Sequence, residues 1–180
     1  ITNQENFINL KALKGNHFGK EILSMQCKAS ELIKFFEIDG NVQRELIDYH
    51  VAAIQKYIQY GMEGNNIYFP PIILSARGRG TYDKENLEYR LRFDEKLTLL
   101  DGQHRIKAFE NIIKRLSIRT DSLSQEQLKY ASEFPFSIQV FLDITQSEEK
   151  QLFTDVNTKS SKVSNTLLIM YKKDDLCSQL

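Results

Sequence analysis

The chain has little of what builds a disulfide or zinc scaffold. Its two cysteines, Cys27 and Cys177, lie far apart, and neither has a close Cys or His partner. That excludes a zinc site or a redox CxxC pair and fits a reducing cytoplasm. Histidine is equally sparse: His17 and His50 have no partners at ligand spacing, so metal binding by histidine has no support. Net charge is absent, because 24 Lys and Arg balance 24 Asp and Glu. No global field draws the protein to nucleic acid, and any such binding must come from a local patch. No apolar run approaches the roughly 20 residues of a membrane span, and the opening ITNQENF lacks a basic and then hydrophobic signal. A soluble, unexported protein with no membrane partner is expected. The Walker-type GxxxxGK[ST] cradle is missing as well, as are repeats and low-complexity tracts. The chain opens without Met and stops at DDLCSQL with no closing signal, which suggests a fragment that lacks some C-terminal sequence.

What is present can fill a core. At 180 residues and 41% hydrophobic content, with 11 Phe and 8 Tyr, residues 1–180 fit one ordinary domain. INLKALKG and KEILSMQC, on either side of GNHFG, predict two strands joined by a turn. Helical spacing follows in KASELIKFFEI, and again from Val42 to Gly61, where Val42, Leu46, Tyr49, Ala53, Tyr57 and Tyr60 lie on or near one core stripe. NNIYFPPIILSA reads as a turn and a buried strand, since Pro70 and Pro71 can begin a strand but not sit in its middle. RGRGTYDKEN reads as a loop, and LEYRLRF with KLTLL as a hairpin. GQHRIKAFENIIKRL is an amphipathic helix with Ile106, Phe109, Ile112, Ile113 and Leu116 on one face. SIRTDSLSQEQ reads as a polar link, PFSIQVFLDI as a buried strand, SEEKQLFTDV as a helix, NTKSSKVS as a loop and NTLLIMYKK as a last helix. Helices interleaved with a few strands predict an α/β or α+β fold, a small mixed sheet with flanking helices.

The densest polar cluster lies in LLDGQHRIKAF, where Asp101, Gly102, Gln103, His104 and Arg105 stand at a strand-to-helix junction. A helix that starts there leaves its first N–H groups unpaired and presents the positive end of its dipole, which is an anion site. Gly102 allows close backbone approach, Arg105 offers a planar fork for phosphate or carboxylate oxygens, and His104 can donate one further bond. Asp101 repels a bare anion. It fits instead as a helix cap, an acceptor for a ribose or base group, a metal-bound carboxylate, or an orienter of His104 or Arg105. In the plainer alternative Asp101 caps the helix, Gln103 faces water and Arg105 pairs with a surface acid. Five polar side chains directly after LTLL, at a strand end where α/β sheets tend to bind ligands, weigh toward function.

DGQHRIKA resembles the signature of the DGQHR-domain proteins, whose best-known members are the DndB proteins of bacterial DNA sulfur modification (phosphorothioation). LKALKGNHFGKEILSMQC, the segment from Arg44 through IQKYIQYGMEGNNIYFPPIILSARG, and FPFSIQVFLDITQSEEKQLFTDVNTKSSKVSNTL resemble successive DndB segments in the same order. The resemblance implies one DGQHR domain lacking part of a C-terminal helical region. It also implies DNA and DNA-modification machinery proteins as partners, a role in transcriptional regulation of the modification genes, and nucleoside triphosphate binding. Related DGQHR proteins accompany systems that insert deazaguanine into DNA, a branch the sequence leaves open. More distantly the family is similar to the ParB and sulfiredoxin superfamily, in which a glycine followed by polar and basic residues opens a helix and holds nucleotide phosphates. Gln103 stands where sulfiredoxin has its catalytic cysteine, so that chemistry is excluded, while Gly102, His104 and Arg105 carry over as candidate phosphate contacts.

FTDVNTKSSKVS matches the family's Phe-x-Asp-x-Asn pattern through Phe153, Asp155 and Asn157. Phe153 is expected to end a helix, with Asp155 and Asn157 starting a loop. Their plain role is local turn bonding. Their functional role is to hold a sugar, a base or a metal-bound water, with Lys159 and Lys162 adding charge. Arg77 and Arg79 form a basic loop between glycines that suits a nucleic-acid backbone. Cys27 follows an apolar strand and reads as buried and inert.

Three function classes compete, beside a purely structural interaction domain that would leave the density of the DGQHR junction unexplained. The first is a DndB-like DNA-binding regulatory or accessory protein that binds a nucleotide at the DGQHR junction. The second is a slow NTPase using ATP or GTP with Mg²⁺, in which Asp101 or Asp155 places the metal or water and His104 and Arg105 stabilise phosphoryl charge. A ParB-like nuclease ranks last, since Asp101 and Asp155 are the only well-placed acids.

Overall fold

The computed structural model describes residues 6–37 and 46–158. In chain order the elements are β1 (Phe7–His17), β2 (Lys20–Lys28), α1 (Ala29–Leu32), β3 (Phe36–Glu37), α2 (Asp48–Met62), β4 (Ile72–Ser75) and β5 (Thr81–Asp83). Then come β6 (Glu88–Arg92), β7 (Leu97–Asp101), α3 (Gln103–Ser117), α4 (Ser122–Glu133) and β8 (Pro135–Phe141). A further helix, α5, covers 146–158. The chain divides into two compact units, Ile1–Ile144 and Thr145–Leu180.

The first unit is an α+β domain built on one mixed sheet of eight strands in the order β3-β7-β4-β8-β2-β1-β6-β5. β3 and β4 run parallel to β7 and β8 respectively, and the other pairings are antiparallel. Burial explains the order. Four of the five residues of β7 are buried, as a strand flanked by β3 and β4 requires, whereas β6 alternates buried Tyr89 and Leu91 with outward-facing Arg90 and Arg92. Ile106, Phe109, Ile112 and Leu116 of α3 join Leu97, Leu99, Leu74 and Ile138 in the core. Beside them Phe69, Phe134 and Phe136 form an aromatic cluster with Phe109, with the Phe109 and Phe136 centroids 4.8 Å apart.

The structure corrects several expectations. LEYRLRF and KLTLL do not pair: β6 joins β1 and β5, while β7 joins β3 and β4. A doubly buried run and an alternating run belong at different places in a sheet. β5 lies inside the segment read as a loop. It closes onto β6 through a turn in which Asp83 Oδ1 accepts from the Glu85 and Asn86 amides. The helix expected over KASELIKFFEI is only α1, after which Phe36 and Glu37 pair with Leu97 and Thr98. In α2 the buried residues are Val51, Ile58 and Gly61. Tyr49, at 70% exposure, Tyr57 and Tyr60 face out, so the tyrosines lie off the core face of α2, while Leu46 packs against the core and Val42 lies outside the described residues. α4 replaces part of the polar link, with Asp121 as N-cap accepting from the Ser124 amide at 2.9 Å. α5 runs through Asp155 and Asn157 rather than ending at Phe153. The loop and helix expected after residue 158 lie outside the described residues.

Candidate site at the strand-to-helix junction

β7 carries its apolar run to Asp101, and the chain turns into α3 through Gly102 in one residue. Gly102 is the N-cap, with φ 111°, a left-handed conformation that side chains rarely adopt. A Cβ there would lie 2.3 Å from Ile72 Cδ1, so packing excludes a side chain as firmly as the backbone does. No side chain caps the helix among the described residues, while the Ile106 amide already bonds the Gly102 carbonyl at 3.0 Å. The earlier amides of the first turn therefore form an uncapped, partly positive end. The neighbouring strand is irregular here, with a register shift between Ile73 and Leu74 opposite the end of β7.

Arg105 points back across this turn. It is buried, at 8% exposure. Its Nη1 donates to the Pro70 carbonyl, and its Nη2 to the Asp101 carboxylate at 3.0 Å and the Pro71 carbonyl at 3.4 Å. Burial pulls the guanidinium below its ordinary value, and the Asp101 carboxylate opposes that shift. Asp101 thus bonds Arg105 and does not cap the helix. Arg105 pins the Pro70–Pro71 segment, which enters β4, to the start of α3. Its planar fork is engaged by the protein's own oxygens.

His104 faces α2. Its Nε2 accepts from the Ile47 amide at 3.0 Å, and its ring stands 5.4 Å from that of His50, edge to face. His50 in turn meets the exposed ring of Tyr49 at 4.3 Å. Burial and the charge of His50 hold the His104 imidazole below its usual value, while Asp101 works in the opposite direction. The neutral tautomer that accepts at Nε2 carries its proton on Nδ1.

Arg77 and Arg79 lie in the loop between β4 and β5, and Asp155 and Asn157 lie in α5. The Arg79 guanidinium is paired with Glu37 at 2.6 Å and also donates to the Lys96 carbonyl, while the Arg79 carbonyl accepts from Tyr89 Oη at 2.6 Å. That basic loop is therefore built into the fold. Arg77 stands at φ 50°, half-buried. Within α5, Asp155 Oδ1 accepts from Gln151 at 3.0 Å, and Asn157 Nδ2 donates to the Phe153 carbonyl at 2.7 Å. Lys159 and Lys162 lie outside the described residues. Cys27 is buried, and burial together with Glu31 pushes its thiol up to about 12, which makes it inert at neutral pH. Among the described residues no three His, Cys, Asp or Glu side chains are grouped to hold a metal, and no helix is long and apolar enough to cross a membrane.

Reading the sequence missed the Pro70 and Pro71 carbonyls, Ile47 and His50 as parts of this junction. Backbone acceptors 34 and 35 residues away leave no side-chain signal, and neither does a histidine contact that only tertiary packing creates.

Residues 10–180 match the model of a family described as DndB, DNA-sulfur modification-associated. No curated protein and no solved structure matches the chain.

Proposed function

The chain belongs to the DndB family of DNA-sulfur-modification-associated proteins, and from that premise we propose that it is a DNA-binding regulatory or accessory component whose DGQHR junction binds a nucleotide. The observation that carries the nucleotide reading is the first turn of α3 at Gly102, which no side chain caps. Phosphate oxygens suit the free amides of such a turn. His104 Nδ1 adds a neutral donor, and Asp101 has acceptor capacity for a ribose hydroxyl beyond its bond to Arg105. Arg105 then serves by holding the junction's shape, since a direct phosphate contact would compete with its three oxygen partners. Asp155 and Asn157 enter this reading through the family pattern alone.

Calorimetric titration with ATP, GTP and CTP, with and without Mg²⁺, tests the proposal, run beside anisotropy of a labelled duplex. Saturable heat with at least one nucleotide, weakened in His104→Ala but not in a distant surface variant such as Lys129→Ala, is the expected result. Heat with no nucleotide overturns the nucleotide reading, and a flat anisotropy curve at low salt overturns the DNA reading. Steady phosphate release with Mg²⁺ would move the protein to the NTPase class.

A further inference from the structure

β1 pairs with β6 only over Phe7–Lys11, and β2 pairs with β8 only over Ile22–Lys28. Beyond both neighbours the two strands stay paired with each other as a ribbon at Asn16–Glu21 and His17–Lys20, with the Glu21 carbonyl still accepting from the Leu142 amide at 3.1 Å. Every residue from Leu13 to Gly19 is exposed. The ribbon closes through Phe18 and Gly19, whose φ values of 53° and 89° are those of a two-residue type I′ turn. Asn16 Oδ1 fixes the turn by accepting from the Gly19 amide at 2.8 Å.

Such turns favour Asn-Gly, because a positive φ is unfavourable for a bulky side chain. Phe18 therefore works against its own turn. It gains no burial in return, since its exposure is 106%, a fully solvated ring. Leu13, at 63%, adds a second exposed apolar side chain on the same ribbon. Neither local conformation nor packing against the described residues accounts for an aromatic residue at this tip. Contact with a partner does.

Charge indicates what that is. β1, the turn and β2 together carry Lys11, Lys14, Lys20 and Lys28 against one acid, Glu21, in a chain whose overall charge is zero; Glu21 pairs with Lys14 at 3.0 Å, and Lys11 pairs with Glu88 of β6 at 2.9 Å. Exposed Arg90 and Arg92 follow on the adjacent strand β6, with Arg90 lying 4.0 Å over the ring of Phe7. Arg92 pairs with Asp94 at 3.1 Å, yet β1, β2 and β6 together keep more cations than acids. A two-stranded ribbon fits a DNA groove, lysines neutralise phosphates, and an inserted Phe is a recognised means of opening a base step.

We propose that the β1–β2 hairpin is a DNA-contacting arm whose tip, Phe18, inserts into the base stack of a duplex. The proposal rests on the DNA-binding reading above and assigns it a surface separate from the α3 junction. The test compares wild type, Phe18→Asn and Phe18→Ala by anisotropy with a labelled duplex, by emission of 2-aminopurine placed through that duplex, and by thermal melting. Phe18→Asn restores the preferred Asn-Gly turn, so its melting temperature is expected to equal or exceed that of wild type. Its DNA affinity is expected to fall at least tenfold, with loss of the 2-aminopurine rise that wild type produces. A gain in fold stability beside a loss of binding cannot be attributed to unfolding. If Phe18→Asn binds as wild type does, or if wild type gives no 2-aminopurine rise at any position, the arm proposal is overturned while DNA binding stands. If wild type binds no DNA, both readings fall.

Discussion

The carboxylate of Asp101, the last residue of β7, lies 3.0 Å from the buried guanidinium of Arg105, the third residue of α3, so one ion pair bridges the strand-to-helix turn. The same guanidinium bonds the carbonyls of Pro70 and Pro71, which ties three segments together. A hydrogen bond to a charged group is worth about 1.5–3 kcal/mol, and removing one partner leaves the others unsatisfied. Arg105→Ala is therefore expected to destabilise the domain by about 2–4 kcal/mol, measured by urea unfolding. Arg105→Lys restores the charge but not the fork and should recover less than half of that. A stability loss below about 0.5 kcal/mol for Arg105→Ala would return this residue to the role of a free phosphate ligand.

His104 gives the stability a pH dependence of known sign. Its folded-state value is depressed by burial and by His50, with Asp101 opposing, so the unfolded chain binds its proton more readily. The contribution is fully present above the unfolded value of about 6.5 and is lost as pH falls below it. Protonation also removes the Nε2 acceptor from the Ile47 amide. Unfolding free energy measured from pH 8 to pH 5 is expected to decline in wild type and to decline less in His104→Gln, which keeps an acceptor but cannot titrate. Parallel curves for the two proteins would count against a neutral His104 in the folded state.

Sequence reading succeeded where one periodic face decides the element. α3 was legible almost to the residue, because Ile106, Phe109, Ile112 and Leu116 recur at helical spacing and all are buried. The β1–β2 hairpin was legible from GNHFG between two partly alternating runs. Pairing partners were not legible: nothing local tells LTLL to join IILS instead of LEYRLRF, and only the doubly buried character of LTLL hints at it. In α2, tyrosine misled the reading because its ring counts as apolar while its hydroxyl tolerates water, so the outward face looked like the core face. At the candidate site the residue types were visible in the chain. Their partners, a pair of proline carbonyls and a histidine on another helix, depend on tertiary packing and were not.

The start of α4 carries a capping signal that is readable in the sequence. Asp121 stands three residues before Ser124 and accepts from its amide at 2.9 Å. An Asp N-cap is worth about 1 kcal/mol over Ala. Asp121→Ala should lower stability by that amount, and Asp121→Asn, which caps about as well, should leave it nearly unchanged. Equal losses in both variants would mean that charge, and not the cap bond, is what matters at this position.

Gly102 carries the sharpest prediction, because two independent effects act at one atom. Its φ of 111° strains any side chain, at about 1–3 kcal/mol, and a Cβ would also meet Ile72 Cδ1 at 2.3 Å. The two contributions separate by adding Ile72→Val, which deletes that Cδ1 and alone costs about 0.5–1.5 kcal/mol. If the clash contributes, the double variant Gly102→Ala/Ile72→Val will be more stable than the sum of the single losses predicts, and the difference measures the steric part. What remains is the backbone part, which no change at Ile72 can relieve. Strict additivity would mean that β4 simply shifts away from the new methyl group. The tight contact would then not be the reason this junction needs glycine, and the φ of 111° alone would have to account for it.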